Sequence, residues 1–362
     1  MIMKLGRTLS EVAAEIERQA RTKQDYIADT RQLHLAEDGQ TLALDGHGHF
    51  QTRDLALTQI GAHTGIPVPY MRRLQSEAPE LLARNVNHWF GSKPAQRLVR
   101  TLDGGARAFL SNRYARIDNL EVAETVLPVL GQVAERHGGV EIVSTEVTEN
   151  RLYIKAVFPQ FRAEIASRRV GDIVEAGILI SNSEVGLGAV SVKPFARFLA
   201  CLNGMTRDGG SAWKHVGRRA DESKEIYALL TDEAKAADDK ALLLKVRDTV
   251  AATLDRNRFD AWTRKIQSTT GEAIEGDVPA AVEVLAKTLS LRQDEKSSVL
   301  RHLIEGADLS RFGLMNAVTR AAEDVESYDR ATELEALGGA VVDLSPKDWQ
   351  LIATAKPLAL AA

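Results

Sequence analysis

The sequence predicts an α+β protein: a strand-rich antiparallel central layer with one main helix, preceded by a small mixed region and followed by a helical region. Three observations carry this. Between Gln96 and Val192, apolar and polar residues alternate in paired runs that flank turn residues, the pattern of hairpins rather than of βαβ units. Only one stretch of that layer, from about Asn119, has helical periodicity. Beyond about Glu222 the pattern is helical. The organisation expected is therefore a mixed region over residues 1–95, a central domain over 96–205, a Gly-rich basic linker over 206–221 and a helical region over 222–362.

Taken in order, residues 8–22 pattern as an amphipathic helix with Val12 and Ile16 on one face and Ser10 as cap. The runs QLHLAED and TLALDG flank Asp38-Gly39 and predict a hairpin. Three short helices are expected over 53–87. QRLVRTL and RAFLSNRY flank Asp103-Gly104-Gly105, a second hairpin. The main helix carries Leu120, Ala123, Leu127, Leu130 and Ala134 on one stripe. Pro128 should kink it, and His137-Gly138-Gly139 should end it. Two more hairpins follow, around Glu149-Asn150 and around 182–188. Asn203-Gly204 reads as a tight turn after a short helix, and TRDGGSAW (206–213) breaks the apolar period. Near the end, Ser345, Pro346 and Asp348 form a helix start.

Composition bounds the class. The chain has 362 residues, 44% hydrophobic and 27% charged, the balance of an ordinary globular protein. Cys201 is the single cysteine, so no internal disulfide forms, and a reducing cytoplasm is the expected location. No apolar run approaches the roughly 20 residues of a membrane span, and no membrane partner is expected. The net charge of −4 hides an uneven distribution. Residues 84–116 hold seven basic residues against Asp103, and residues 193–219 hold six against Asp208. Residues 221–343 hold 25 acidic and 16 basic residues. Such asymmetry speaks about partners.

Common catalytic signatures are missing: there is no Gly-x-Ser-x-Gly elbow, phosphate-binding Gly-Lys loop or His-Glu-x-x-His. GLGAVS (186–191) lacks a third glycine and reads as a turn. Asp45, His47 and His49 would share a face on a strand, as a metal site needs, but their flanking glycines favour a polar turn. Cys201 between Ala200 and Leu202 reads as a small buried hydrophobe. No cofactor, metal or catalytic residue is assigned.

The basic stretches say most. Lys93, Arg97, Arg100, Arg107, Arg113 and Arg116 fall on or beside paired strands, with Tyr114 and Trp89 among them. Lys193, Arg197, Arg207, Lys214, Arg218 and Arg219 surround Trp213. Cations for phosphates and flat rings for bases are what a single-strand groove requires. QIGAHTGIPVPYMRRL (59–74) has the outline of a helix-turn-helix. Its second helix would nevertheless present Pro67, Val68, Pro69 and Tyr70 where base readout happens, with almost no hydrogen-bonding capacity. Pro69 should also push Val68 from helical dihedrals. A helix corner packed into a core is the better account.

LALTQIGAHTGIPVPYMRRL, RAFLSNRYARIDN, SNSEVGLGAVSVKPFARFLACLNGM and RFGLMNAVTRAAEDVESYDRATELEALGG together resemble the phage/plasmid-like protein family, catalogued as domain of unknown function nine-three-two. The similarity runs from about Leu55 to the end of the chain. It implies the company of phages, plasmids and integrated elements, and it carries over no catalytic residue. The matching positions are Arg107, Phe109, Leu110, Ser111, Tyr114, Glu184, Gly186, Cys201, Asn203, Gly204, Asn316, Ala317, Thr319 and Glu335. Of these, Arg107, Tyr114 and Asn203 are expected near a working surface. The leading expectation is a non-enzymatic accessory protein of a mobile element that binds nucleic acid, single-stranded in preference, in replication or recombination. The second is an interaction or assembly protein that forms a homo-oligomer through residues 222–343. The third is an enzyme whose site forms around Cys201, His215 and Glu184.

Overall fold

The computed structural model describes residues 4, 6–166, 172–188, 190–199, 203–207, 211–213, 231–253 and 255–357. Helix α1 (Leu9–Thr22) starts at Thr8 rather than Ser10. The Thr8 hydroxyl accepts from the Glu11 amide at 3.3 Å while Glu11 accepts from the Thr8 amide at 2.8 Å, a reciprocal box that Ser10 has no Glu or Gln to complete. Next come β1 (Gln24–Asp29), β2 (Leu33–Leu35), β3 (Thr41–Leu44) and β4 (Gly48–Thr52). Three helices follow, α2 (Asp54–Thr64), α3 (Val68–Glu77) and α4 (Pro79–Ser92), then β5 (Gln96–Leu102) and β6 (Gly105–Ser111).

These strands form one sheet in the order β1-β5-β6-β4-β3-β2. The β5–β6 hairpin, placed by the sequence in the central layer, therefore closes the first sheet instead. Its turn is as expected, with positive φ at Asp103 (50°) and Gly104 (75°), the backbone of a tight two-residue hairpin. The reassignment has a simple cause. β1 pairs antiparallel with β5 from Gln24↔Thr101 to Asp29↔Gln96, and β1 shows too little alternation to read as a strand on its own. α2, α3 and α4 cover this sheet over a core that includes Ile60, Met71, Leu74, Phe90 and Phe109. The helix-turn-helix outline is thus a helix corner, closed at Gly65 in the left-handed conformation. Val68 is helical after all, because Pro69 occupies the first turn, where its missing N–H has no intrahelical acceptor. Arg72 and Arg73 pair with Asp54 (2.6 Å) and Glu77 (2.8 Å).

The second sheet is antiparallel, ordered β11-β10-β9-β8-β7 with β12 also on β10. It contains β7 (Glu141–Val147), β8 (Leu152–Ile165), β9 (Asp172–Asn182), β10 (Val190–Phe198), β11 (Asn203–Thr206) and β12 (Ser211–Trp213). The two central hairpins form as the alternation predicts. Asn203-Gly204 is not a turn but part of β11, paired with Arg197 and Phe198. The supposed linker supplies β12 against Val190–Val192. Helix α5 (Asn119–His137) runs through Pro128 and ends at Gly138 in the left-handed region. Its core stripe is Val122, Val126, Val129, Leu130 and Val133. Leu120 and Leu127 are only partly buried, so the stripe is turned by about one residue from expectation.

The remaining helices are α6 (Asp232–Ala252), α7 (Arg256–Thr269), α8 (Val278–Leu289), α9 (Gln293–Gly306), α10 (Arg311–Ala321), α11 (Tyr328–Asp343) and α12 (Pro346–Ala353). Ser345 caps α12 as predicted, accepting from Asp348 at 3.1 Å. Strand alternation divides the second sheet. Ile154, Ala156, Phe158, Ile178 and Ile180 point into a core shared with α1, α5 and α6, whereas Tyr153, Val157, Leu179 and Phe195 gather around Tyr328 of α11. Among the described residues no helix is long and apolar enough to cross a membrane.

α11 approaches β11 closely enough that a Cβ on Gly339 would collide with the Thr206 carbonyl. Backbone cannot step aside as a side chain can. Gly339→Ala is therefore expected to lower stability by about 1–3 kcal/mol, measured as a fall in melting temperature, whereas Gly131→Ala on α5, where a Cβ meets nothing within 4 Å, should not.

Candidate functional site

The basic residues grouped by the sequence separate in space. Arg97 and Arg100 lie three apart on β5, so the pleat sends them to opposite faces. Arg100 is fully buried. It donates to Asp25 (2.8 and 3.0 Å), to Asp118 (2.6 Å) and to the Glu184 carbonyl (3.0 Å). Arg107 falls at a bulge, since Arg100 pairs with Ala108 and Thr101 with Ala106. The extra residue turns inward, and Arg107 donates to Glu184 Oε2 at 2.6 Å. The second oxygen of Glu184 accepts from the Asn119 amide at 2.7 Å, at the start of α5. Burial pushes the Glu184 carboxyl up, but Arg107, Arg100 and that amide together hold it below its ordinary range. Tyr114 donates to the Ser183 carbonyl at 2.7 Å, and burial drives its phenol upward.

The runs RAFLSNRY and SNSEVG thus meet in the interior, tying the first sheet to the second. Arg107 and Asn203 are buried, and Tyr114 is half-buried. Asn203 is buried and bonds to Thr319 on α10. Short-range patterns cannot reveal this, because each pair joins residues at least 69 positions apart.

Of the second basic stretch, Arg197 is firmly engaged. Arg197 grips Glu141 (2.7 and 2.8 Å) and Glu175 (2.6 and 2.9 Å). Lys193 is half-buried on β10, and Arg207 lies beside Asp343 at 3.8 Å. Trp213 ends β12. Lys214, Arg218 and Arg219 lie outside the described residues, as do Cys201 and His215 of the enzyme reading. Asp45 and His47 stand in the exposed β3–β4 turn and His49 on exposed β4. Among the described residues no group of three His, Cys, Asp or Glu side chains converges as metal ligands would.

One corner of the first sheet is different. Arg97 extends along the helix-covered face, its guanidinium 5.5 Å from the Phe109 ring centre. Its Nη donates to His63 Nδ1 on α2 at 2.5 Å. Lys93, just past the end of α4, sits 4.3 Å over the Trp89 ring. Burial, then Arg97, then Lys93 push the His63 pKa below its usual value, so the ring is neutral at pH 7 with its proton on Nε2. Burial likewise opposes the charge on Arg97, with no carboxylate restoring it. Arg97 Nε and His63 Nε2 are both buried without a hydrogen-bond partner. Arg97 pairs with Ser111, two residues before half-buried Arg113, and Arg116 further along the chain is exposed.

Neither Lys93, Arg97, Arg113 nor Arg116 forms an ion pair with any described carboxylate. His63 lies in the last turn of α2 and Lys93 just past the end of α4, where the partial negative charge of a helix C-terminus favours a cation. The sequence signal of this corner was present, in Lys93, Arg97 and Trp89. His63 was missed, since nothing local links it to a strand 34 residues away.

Fold and site define an α+β protein with an uncompensated cationic corner beside an aromatic ring. No family model, curated protein or solved structure matches the chain.

Proposed function

We propose that this protein is a non-enzymatic accessory of a mobile genetic element that binds nucleic acid, single strands in preference, during replication or recombination. The observation that carries the binding is the corner of Lys93, Arg97 and His63, where cations and unpartnered N–H groups converge with no described acid to neutralise them. A phosphate would accept from Arg97 and, by its charge, favour protonation of His63. A base stacking on Trp89 would displace Lys93 onto the adjoining phosphate. Arg113 and Arg116 extend the track. Arg100, Arg107 and Arg197 do not belong to it, because carboxylates already hold them. The mobile-element setting rests on the resemblance of the quoted motifs.

The test is fluorescence anisotropy with labelled single- and double-stranded oligonucleotides across a salt series. Lys93→Gln/Arg97→Gln should weaken single-strand binding and flatten the plot of log K against log salt by roughly 1.4, the share of two phosphate contacts. Arg256→Gln/Lys287→Gln changes net charge equally on the helical region. An equal loss there, or no binding by the unaltered protein at low salt, defeats the proposal.

A further inference from the structure

Between β8–β10 and the junction of α6 with α7 lies a cavity of about 680 Å³, within the range of roughly 300–1,000 Å³ that receives small organic ligands. Phe161, Phe259 and Trp262 give it an apolar, ring-lined side. Its polar side is built around Arg207. Arg207 Nε is buried without a hydrogen-bond partner. The pairing with Asp343 is long, at 3.8 Å, and Lys265 shares that carboxylate.

The acids on the wall are already engaged. Asp248 pairs with Arg247 at 2.8 Å, and Asp255 caps α7 by accepting from the Arg258 amide at 2.7 Å. Arg258 itself lines the same wall and forms no ion pair with any described residue. What the cavity lacks is an acceptor with one negative charge, attached to something apolar.

From this we infer that the cavity binds a small amphiphilic carboxylate. Its apolar body lies among these three rings, and its carboxylate meets the Arg207 guanidinium. A guanidinium presents two parallel N–H groups to two carboxylate oxygens, and a buried N–H without an acceptor is unfavourable until such a group arrives. A phosphate dianion is a poorer match, because Asp343 already offsets part of the Arg207 charge. This site is separate from the cationic corner of the first sheet and does not depend on the nucleic-acid reading.

The test uses the full chain and two matched pairs of probes: hexanoate with hexanol, and phenylacetate with 2-phenylethanol. Calorimetric titration should show each acid binding roughly ten-fold or more tighter than its alcohol, with a matching rise in melting temperature. Arg207→Gln should erase that preference while the circular-dichroism spectrum stays unchanged. Thr249→Phe, which fills the cavity from α6 and leaves Arg207 in place, should weaken acids and alcohols alike. It decides the matter if Arg207→Gln fails to fold. Equal binding of acid and alcohol, a preference that survives Arg207→Gln, binding untouched by Thr249→Phe, or no binding of any probe at millimolar concentration overturns the inference.

Discussion

Lys155→Met is expected to destabilise the protein by about 3–5 kcal/mol, a fall in melting temperature on the order of 10 °C. Lys155 on β8 and Glu335 on α11 are both fully buried, and Lys155 Nζ donates to Glu335 at 2.6 Å. Burial disfavours the ammonium, but Glu335 and the Tyr328 phenol more than offset it and hold Lys155 above its usual range, while burial raises the Glu335 carboxyl. Tyr328 also bonds Ser144 of β7, and Asp329 accepts from Tyr153 (2.9 Å) and Asn150 (3.0 Å). The pair therefore sits in the seam between the second sheet and the helical region.

Removing the lysine leaves a carboxyl group in a dry interior with nothing to neutralise it, and that is where the loss arises. Lys155→Met/Glu335→Leu removes both charges and should recover most of the stability, because well-packed apolar replacements of a buried pair are often neutral or better. Differential scanning calorimetry reads both variants. Equal destabilisation in the single and double variants would mean that the packing of Lys155, not its charge, holds the seam.

Arg107→Met should have an effect of similar size, about 3–5 kcal/mol, with a distinctive pH dependence. In the native protein the Glu184 carboxyl is held below its unfolded value, once Arg107, Arg100 and the Asn119 amide have outweighed burial. Such a group contributes stability that is present above its unfolded pKa and is lost as pH falls through its folded pKa. Without Arg107, burial wins, the Glu184 pKa rises above its unfolded value, and protonation stabilises the variant. The stability gap between wild type and Arg107→Met should therefore be widest near neutral pH and narrow as pH falls through the carboxylate range. Arg107→Met/Glu184→Gln, which can keep the contact to the Asn119 amide, should be more stable than Arg107→Met alone. Denaturant melts at stepped pH values check both expectations, and a gap that does not change with pH counts against them.

These two pairs also show how much was legible beforehand. The α+β class, the hairpins of the second sheet, the Asp103-Gly104 turn and the Ser345 cap all follow from signals a few residues long. Alternation, a left-handed turn position and a capping hydroxyl act within their own segment, so the sequence determined them alone. The basic stretch was legible as composition but not as a surface. Of its arginines, Arg97 meets an unneutralised corner, while Arg100 and Arg107 are consumed by acids inside the molecule.

That sorting was decided by tertiary structure. The pleat separates Arg97 from Arg100, a single bulge turns Arg107 toward Glu184, and β1 pulls the β5–β6 hairpin into a different sheet. Apart from the pleat, which is local, these outcomes depend on partners distant along the chain, and so do the buried pairs: Glu184 is 77 residues from Arg107 and Glu335 is 180 from Lys155. Local propensity sets which elements form. Whether a charge faces water, a carboxylate or an incoming phosphate depends on which elements pack together, and no window of sequence contains that.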